Sequence, residues 1–176
     1  MRWPFSFLAL NLLFAPSSYR AGSSCAEHRL MPDGSRIAKM TKQGSYVLYL
    51  DVKQPLTIRV GSLKNVFLPP GRYAYIGSAR TGIAGRIRRH RRLAEKKSGK
   101  RHWHIDYLLV HPQVQLAGET RIPEAEECDI SHQIASRRGT TTPVPNFGST
   151  DCRHRCKAHL YRLATERMLR LRIKPN

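Results

Sequence analysis

The first part of the folded region has the hydrophobic pattern of a small sheet. Residues 45–52 are almost continuously apolar, and residues 56–60 alternate apolar and polar side chains, so both segments predict strands. Residues 66–68 extend a hairpin, and the Pro-Pro-Gly sequence at 69–71 predicts a turn before a further strand at 73–77. This half of the pattern therefore predicts a small, mainly antiparallel sheet.

The second part changes to helical spacing. Residues 82–96 predict a helix, because Ile83, Ile87 and Ala94 fall on one stripe with His90 on the same side. After this helix, the sequence predicts a short apolar element at 102–109 and a strand at 114–117. A helix from about 124 to 138, a loop at 139–151 and a strand at 159–163 follow. The whole pattern predicts an α+β fold in which helices flank a small central sheet.

The two ends of the chain depart from these patterns. Residues 1–40 join Arg2 to a short, interrupted apolar run, which is typical of a signal peptide, an unfolded leader or a mis-started gene. We expect the folded domain at residues 41–165 and a basic tail at 166–176. No apolar run reaches the roughly 18 residues that a membrane span needs. The favoured location is cytoplasmic and nucleoid-associated, with export through residues 1–20 as the alternative.

The net charge of the chain indicates which class of partner it binds. The 176 residues carry 31 Lys+Arg against 12 Asp+Glu, a net charge of +19, which predicts a polyanionic partner. Nucleic acid, with DNA favoured, comes before an anionic membrane, because the apolar stripe of the basic helix is needed for the core. Cations are concentrated between residues 80 and 101. The predicted nucleic-acid-binding residues there are Arg80, Arg88, Arg89, Arg92, Lys96, Lys97, Lys100 and Arg101.

Four cysteines are too few for a disulfide scaffold, so reduced thiols are expected. They are Cys25, Cys128, Cys152 and Cys156. Cys152, Cys156 and His159, with His154 inside this run and Cys128 upstream, could bind zinc. Their spacing is not that of a ribbon or a finger, so zinc is disfavoured and buried thiols beside a loop are preferred.

Another set of residues has the chemistry of phosphodiester hydrolysis, which needs a proton acceptor, a cation for the phosphate and usually a carboxylate-held metal. Tyr46 and Tyr75 lie on strands that could be neighbours, and Arg86 and His90 are four residues apart on one helix face. Glu127 lies near the start of the second helix. Each also has a simpler explanation, as a sheet tyrosine, a solvated arginine or a carboxylate compensating the helix dipole.

These residues fall in a recognisable order: Gly-Ser-Tyr at 44–46, Tyr-Ile-Gly at 75–77, then Arg86 and His90. The order resembles the GIY-YIG nuclease superfamily. The stretches at 102–109 and 143–152 look more specifically like its Uri-type branch, and the resemblance covers about residues 43–163. It implies a metal-dependent endonuclease that hydrolyses phosphodiester bonds, with DNA as the favoured substrate.

The resemblance also implies a role for each residue. Tyr46 acts at the attacking water as general base or as its positioner, and Tyr75 hydrogen-bonds that water or the scissile phosphate. Arg86 stabilises the charge that develops on the phosphate. His90 assists proton transfer or donates to the phosphate. Glu127 holds one Mg²⁺ or Mn²⁺ ion.

The sequence departs from the superfamily pattern at several points. The first motif reads Gly-Ser-Tyr instead of Gly-Ile-Tyr, and 29 residues separate Tyr46 from Tyr75, which the inserted hairpin explains. Gly77 is expected to let the chain turn closely into the helix. Glu127 is chosen over its acidic neighbours because the Uri-type pattern reads Glu-Cys there. Those neighbours are Glu124, Glu126 and Asp129.

A non-catalytic nucleic-acid-binding domain on the same scaffold is the alternative function. It would use the basic helix for backbone contacts, and its tyrosines and glutamate would serve packing and capping. No appended recognition domain is visible, so low sequence specificity or a partner protein that supplies specificity is expected.

Overall fold

The computed structural model describes residues 43–164. The predicted leader at 1–40 and the basic tail at 166–176 lie outside the described residues. The elements, in chain order, are β1 (Gly44–Val52), β2 (Leu56–Arg59), a 3₁₀ turn (Gly61–Leu63), β3 (Asn65–Leu68), β4 (Gly71–Ala79), α1 (Ile83–Lys96), α2 (His104–Leu109), β5 (Val114–Pro123), α3 (Glu127–Ala135) and β6 (Leu160–Arg162).

The central sheet has the strand order β5-β1-β4-β6, and each neighbouring pair is antiparallel. The β2–β3 hairpin forms a separate two-stranded sheet. The predicted α+β fold, with a mainly antiparallel sheet flanked by helices, is confirmed. The long gap between the two motif strands is filled by the hairpin, as predicted.

Both faces of the sheet are covered, which explains why β1 is apolar along most of its length. Leu48 and Leu50 belong to the core beneath α1 and α2, and Val47 and Tyr49 belong to the core beneath α3. Alternate strand residues point to opposite faces, so a strand with helices on both sides has no face left for solvent. The nearly unbroken apolar run of β1 follows from this layered arrangement.

Helix α1 follows the predicted stripe. Its buried residues are Ile83, Ile87, His90, Leu93 and Ala94. The helix ends at Lys97, which takes a left-handed conformation with φ 51°. The Lys97 ammonium donates to the carbonyls of Leu109 and Val114, so this cation joins α1 to the end of α2 and the start of β5.

Two predicted boundaries differ from the structure. Strand β5 continues to Pro123, well past residue 117, because it pairs along the whole of β1 with a bulge between Tyr49 and Leu50. The expected helix from 124 to 138 is shorter, since α3 spans Glu127–Ala135. Glu124 has φ 62°, a left-handed conformation that turns the chain between β5 and α3. Within residues 43–164, no helix has the length and apolar character needed to cross a bilayer.

Candidate functional site

Tyr46 and Tyr75 meet on the face of the sheet beneath α1. Tyr46 pairs across the strands with Gly77, and Tyr75 pairs with Leu48, so the two tyrosines are diagonal neighbours. Their exposed fractions are only 1% and 6%. Burial raises the pKa of both phenols well above the usual value, so both carry their protons at neutral pH.

Gly77 makes room for the Tyr46 ring. A Cβ atom at this position would lie 2.5 Å from both Cζ and the hydroxyl oxygen of Tyr46. Gly77 lies inside β4 and has no left-handed conformation, so the expected role in a close turn is wrong. The glycine is required because the tyrosine of the neighbouring strand lies directly over its backbone.

The Tyr46 hydroxyl is the first group of a buried polar chain. It lies 2.9 Å from Nε2 of His90, and Nδ1 of His90 lies 3.4 Å from Oδ1 of Asp106. Burial lowers the pKa of His90, so the imidazole is neutral at pH 7 and Nε2 can accept the phenolic proton. Asp106 faces the opposite ring nitrogen and favours the tautomer in which Nδ1 is protonated.

Asp106 is fully buried, and the sequence analysis did not single it out. Arg89 donates to it from both terminal nitrogens at 2.8 Å, and the amides of His102 and Trp103 donate at 2.8 and 3.0 Å. Burial alone would raise the pKa of Asp106, but His90, Arg89 and the two amides together hold it well below its usual range. The available signal was the position of Asp106, three residues after Trp103 at the start of a helix, where a carboxylate caps free amides.

Arg86 and Arg89 both stack on Trp103, but only one of them has an acidic partner. Their guanidinium carbons lie 4.1 and 4.5 Å from the centre of the indole ring. Arg89 is paired with Asp106, whereas within residues 43–164 no side-chain or backbone acceptor receives the guanidinium of Arg86. Arg86 is thus held by the indole face while its N–H donors remain available for an anion.

Glu127, the first residue of α3, lies between the tyrosines and the loop that leads to β6. One carboxylate oxygen accepts a hydrogen bond of 2.8 Å from Ser78, and the other lies 3.1 Å from Nδ1 of His159. The side chain is 23% exposed. After burial and the opposing effect of Arg86, its charge contributes to the raised pKa of Tyr46, so carboxylate and phenol share one electrostatic environment. The acidic neighbours Glu124, Glu126 and Asp129 are exposed.

The predicted nucleic-acid-binding residues divide into two groups. Six of them have exposed side chains, namely Arg80, Arg88, Arg92, Lys96, Lys100 and Arg101. The other two, Arg89 and Lys97, have the internal partners described above. A surface cavity of about 590 Å³ at the end of α1 is lined by several of these cations together with His102.

The structure also gathers three cysteines and a histidine. One ligand atom from each of Cys128, Cys152, Cys156 and His159 lies within 4.8 Å of the others. The Sγ atoms of Cys128 and Cys152 are 3.4 Å apart, and the three thiols are free, as expected. Burial acts to raise the pKa of Cys152, but hydrogen bonds from the Cys156 backbone and neighbouring thiols lower it to about 7.

This cluster could bind a metal ion, and its donors suit zinc better than magnesium. The spacing of Cys152, Cys156 and His159 along the chain, with Cys128 upstream, disfavours zinc because it is not that of a ribbon or a finger. That reasoning could not place Cys128, which the first turn of α3 brings next to the loop. The expectation against a thiol-rich metal site is therefore not supported by the fold.

Comparison with known proteins identifies one family. Residues 45–175 match the family model described as Domain of unknown function DUF123. No curated protein and no solved structure matches the chain. The matched segment covers well over half of the 176 residues. The chain therefore belongs to the family described as Domain of unknown function DUF123.

Proposed function

We propose that this protein is a metal-dependent endonuclease of the GIY-YIG type that hydrolyses phosphodiester bonds, with DNA as the favoured substrate. The observation that carries the proposal is the 2.9 Å contact between the Tyr46 hydroxyl and Nε2 of a buried, neutral His90. An arginine without an acidic partner and a partly exposed glutamate lie on the elements around it. The motif order of the sequence supports the same conclusion.

The contact with His90 would let Tyr46 act as a base at neutral pH, which a lone tyrosine does poorly. Burial raises the pKa of Tyr46, so a free phenolate is scarce at neutral pH. In the proposed step, the water oxygen bonds to phosphorus and the ester bond to the leaving oxygen breaks. The water proton passes to the oxygen of Tyr46 as the phenolic proton passes to Nε2 of His90. The leaving oxygen takes a proton from solvent, and Asp106 stabilises the imidazolium that forms.

Arg86 would bind the scissile phosphate. Its guanidinium is a planar fork that matches two phosphate oxygens, and stacking on Trp103 fixes its plane. The charge that develops on the phosphate during attack would then meet a donor already in position. Such preorganisation costs no rearrangement during the reaction.

Glu127 would hold one Mg²⁺ or Mn²⁺ ion. A single carboxylate together with water and substrate oxygens is a common way to bind Mg²⁺ at phosphate-processing sites. Glu127 fits this use, because its carboxylate is partly exposed and one oxygen is held by Ser78. When bound, the ion supplies positive charge that neutralises the phosphate.

The exposed cations of α1 and the segment after it would bind the nucleic-acid backbone. With Arg89 and Lys97 serving the fold, the predicted surface is reduced to the six exposed residues given above. For a protein that contacts about six phosphates, the affinity for DNA falls roughly 1,000-fold when salt rises from about 50 to about 200 mM. A partner protein would supply specificity.

The test is cleavage of labelled single-stranded, double-stranded and branched DNA by the full chain, with Mg²⁺, Mn²⁺ or EDTA. Glu127→Gln is compared with Glu126→Gln, a control at the exposed neighbouring position. We expect metal-dependent cleavage that Glu127→Gln abolishes, that Glu126→Gln leaves intact, and DNA binding that neither change affects. Binding without cleavage of any of these substrates would refute the nuclease proposal.

The second candidate is a non-catalytic nucleic-acid-binding domain. The near-complete burial of Tyr46 and Tyr75 and the basic cavity at the end of α1 favour it. In this case DNA binding falls steeply with salt, and Mg²⁺ acts only through screening. The same cleavage and binding measurements distinguish the two functions.

A further inference from the structure

We propose that Cys128, Cys152, Cys156 and His159 bind one Zn²⁺ ion in a closed tetrahedral site. The proposed nuclease chemistry uses none of these four ligands, and a hard Mg²⁺ ion has little affinity for thiolates. Three cysteines and one histidine form one of the common donor sets of structural zinc sites. The zinc is therefore a second metal of different chemistry, at a different place from the Mg²⁺ at Glu127.

The distances between the four candidate ligand atoms match those of a zinc site. Two thiolates bound at about 2.3 Å on a tetrahedral ion stand roughly 3.8 Å apart. The Sγ atoms of Cys128 and Cys152 are 3.4 Å apart, and all four ligand atoms lie within 4.8 Å of one another. Small side-chain adjustments are enough to centre an ion among them.

His159 provides an independent reason for a ligand. The residue is only 3% exposed, and within residues 43–164 neither of its ring nitrogens has a hydrogen-bond partner of good geometry. A buried ring nitrogen without a partner is costly, and such groups are rare in native proteins. The Nδ1 atom of His159 faces Glu127 at 3.1 Å, which leaves Nε2 for a metal.

A disulfide explains the cluster less well. The 3.4 Å separation of the sulfur atoms of Cys128 and Cys152 is much longer than the covalent distance of about 2.05 Å. A bond between these two residues would also leave the buried Nε2 atom of His159 without a partner, and it would leave Cys156 with a 3.7 Å contact to Nε2 of His132. A metal ion accounts for all four residues at once.

The position of the cluster points to a structural role. Cys128 lies in the first turn of α3, Cys152 and Cys156 lie in the loop before β6, and His159 immediately precedes that strand. The β6 strand has only three residues, and the long loop that leads to it is held by isolated turn and cross-loop backbone bonds, such as that from the Asn146 amide to the Lys157 carbonyl, and not by a continuous ladder. Four protein ligands leave no open coordination position, so the ion would tie the loop to α3 and carry no reaction.

The proposed zinc site also contacts Glu127 through His159. A carboxylate that faces the second nitrogen of a metal-bound histidine fixes the ring orientation and strengthens the ligand. Glu127 has this position relative to His159, while its other oxygen accepts from Ser78. Zinc would thereby hold the carboxylate that the nuclease proposal assigns to Mg²⁺, and this last step rests on the proposed function.

The first test measures metal on the full chain, purified under reducing conditions without chelators. Elemental analysis is expected to give about one Zn²⁺ per chain. Stripping with a chelator and adding Co²⁺ should produce the strong visible bands of a tetrahedral thiolate site, with free zinc displacing the cobalt. A reduced chain that lacks zinc and gives no such bands overturns the proposal, and so does a purified chain with a stable bond between Cys128 and Cys152.

Variants locate the site. Removing a residue that only hydrogen-bonds a metal ligand lowers metal affinity about 10- to 100-fold. Removing a ligand itself should have a larger effect, so Cys128→Ala and Cys156→Ala should each lower Co²⁺ affinity at least about 100-fold. Cys25→Ala, the fourth cysteine, and His154→Ala, an exposed histidine of the same loop, are matched controls that should leave affinity unchanged. Equal affinities in all four variants would place the metal elsewhere. The wild-type measurement stands even if a ligand variant does not fold.

Glu127→Gln tests the link between the two metals. We expect zinc affinity to fall about tenfold, with Glu126→Gln unchanged. Unchanged affinity in Glu127→Gln would refute the proposed support of His159. Zinc binding is read without any cleavage assay, so a zinc-loaded chain that does not cut DNA refutes only the nuclease proposal. A zinc-free chain that cuts DNA refutes only the zinc site.

Discussion

The two sides of the central sheet satisfy their buried polar groups differently. Beneath α1, the buried carboxylate of Asp106 receives donors from Arg89 and from two backbone amides. On the side of α3, three thiols and His159 are gathered without comparable donors, and Nε2 of His159 lacks a partner within residues 43–164. The chain thus supplies the donors to Asp106 from its own atoms, whereas the proposed zinc ion would supply the missing partner of His159.

Glu127 makes its contacts on the α3 side of the sheet, and after burial and Arg86 its charge acts on the pKa of the Tyr46 phenol beneath α1. One of its oxygens accepts from Ser78 on β4, and the other faces His159 beside the cysteines. A carboxylate has about four lone-pair positions, so these contacts leave room for a metal ligand bond. This shared position makes the comparison testable, because changes on one side should leave the other side intact.

The largest effect is expected from Arg86→Ala. Loss of a preorganised donor to a developing charge lowers catalysis by about 1,000-fold, and within residues 43–164 Arg86 has no acidic partner whose loss would destabilise the fold. Single-turnover cleavage with thermal unfolding of the same samples measures both quantities. Arg91→Ala is the control, because Arg91 is an exposed arginine of the same helix that pairs with Glu119 and is not assigned to the nucleic-acid surface. Cleavage by Arg86→Ala at the wild-type rate would remove this residue from the proposed site.

The next effect is on stability. Asp106→Asn leaves Arg89 without a charged partner in a partly buried position, so the free energy of unfolding should fall by about 3 kcal/mol. Urea denaturation monitored by circular dichroism checks this value. Glu119→Gln breaks ion pairs with the exposed Arg91 and Arg121 and should cost less than about 1 kcal/mol. Similar losses in the two variants would contradict the importance of the buried network.

A smaller loss is expected from Gly77→Ala. The added methyl group would overlap the Tyr46 ring, and such overpacking costs about 1 to 3 kcal/mol. The ring must move, so cleavage should fall more than stability alone explains. Gly85→Ala is the control, because a Cβ there meets nothing within 4 Å and lies in a helix. If Gly77→Ala leaves both activity and stability unchanged, the close contact between Gly77 and the Tyr46 ring is not important for function.

The smallest effect is a pH dependence of stability beneath α1. Burial lowers the folded pKa of His90 below its usual value of 6.5, so the unfolded chain binds more protons and stability falls as pH drops below about 6.5. The slope for one group is at most about 1.4 kcal/mol per pH unit. The measured quantity is the difference in unfolding free energy between wild type and His90→Gln from pH 7.5 to 5. A difference independent of pH would show that His90 does not titrate as the structure implies.

Asp106 should act at lower pH in the same direction. Its folded pKa lies well below the usual value of 3.8, so its contribution is complete above that value and is lost progressively as pH falls towards the folded pKa. Acid unfolding of wild type and Asp106→Asn separates this loss from that of His90. The two curves should begin to converge below about pH 4, where the unfolded chain takes up the proton while the folded carboxylate still keeps its charge.

Local pattern was enough for most of the elements. The stripe of α1 was predicted with its buried histidine, because one helix face repeats every three to four residues whatever lies opposite. The end of β5 could not be predicted, since it depends on how far β1 offers a pairing edge. The start of α3 likewise depended on the turn at Glu124, which the acidic run at 124–129 did not reveal.

The sequence by itself determined the strands, the basic helix and the four candidate residues that share motif order and helix phase. Only the tertiary structure decided which side chains meet across long separations. It paired Tyr46 with His90 and, through α2, His90 with Asp106. It also brought Cys128 to the loop that carries Cys152. Spacing along the chain reports local geometry, whereas these meetings depend on how helices pack on the two faces of the sheet, which no local pattern encodes.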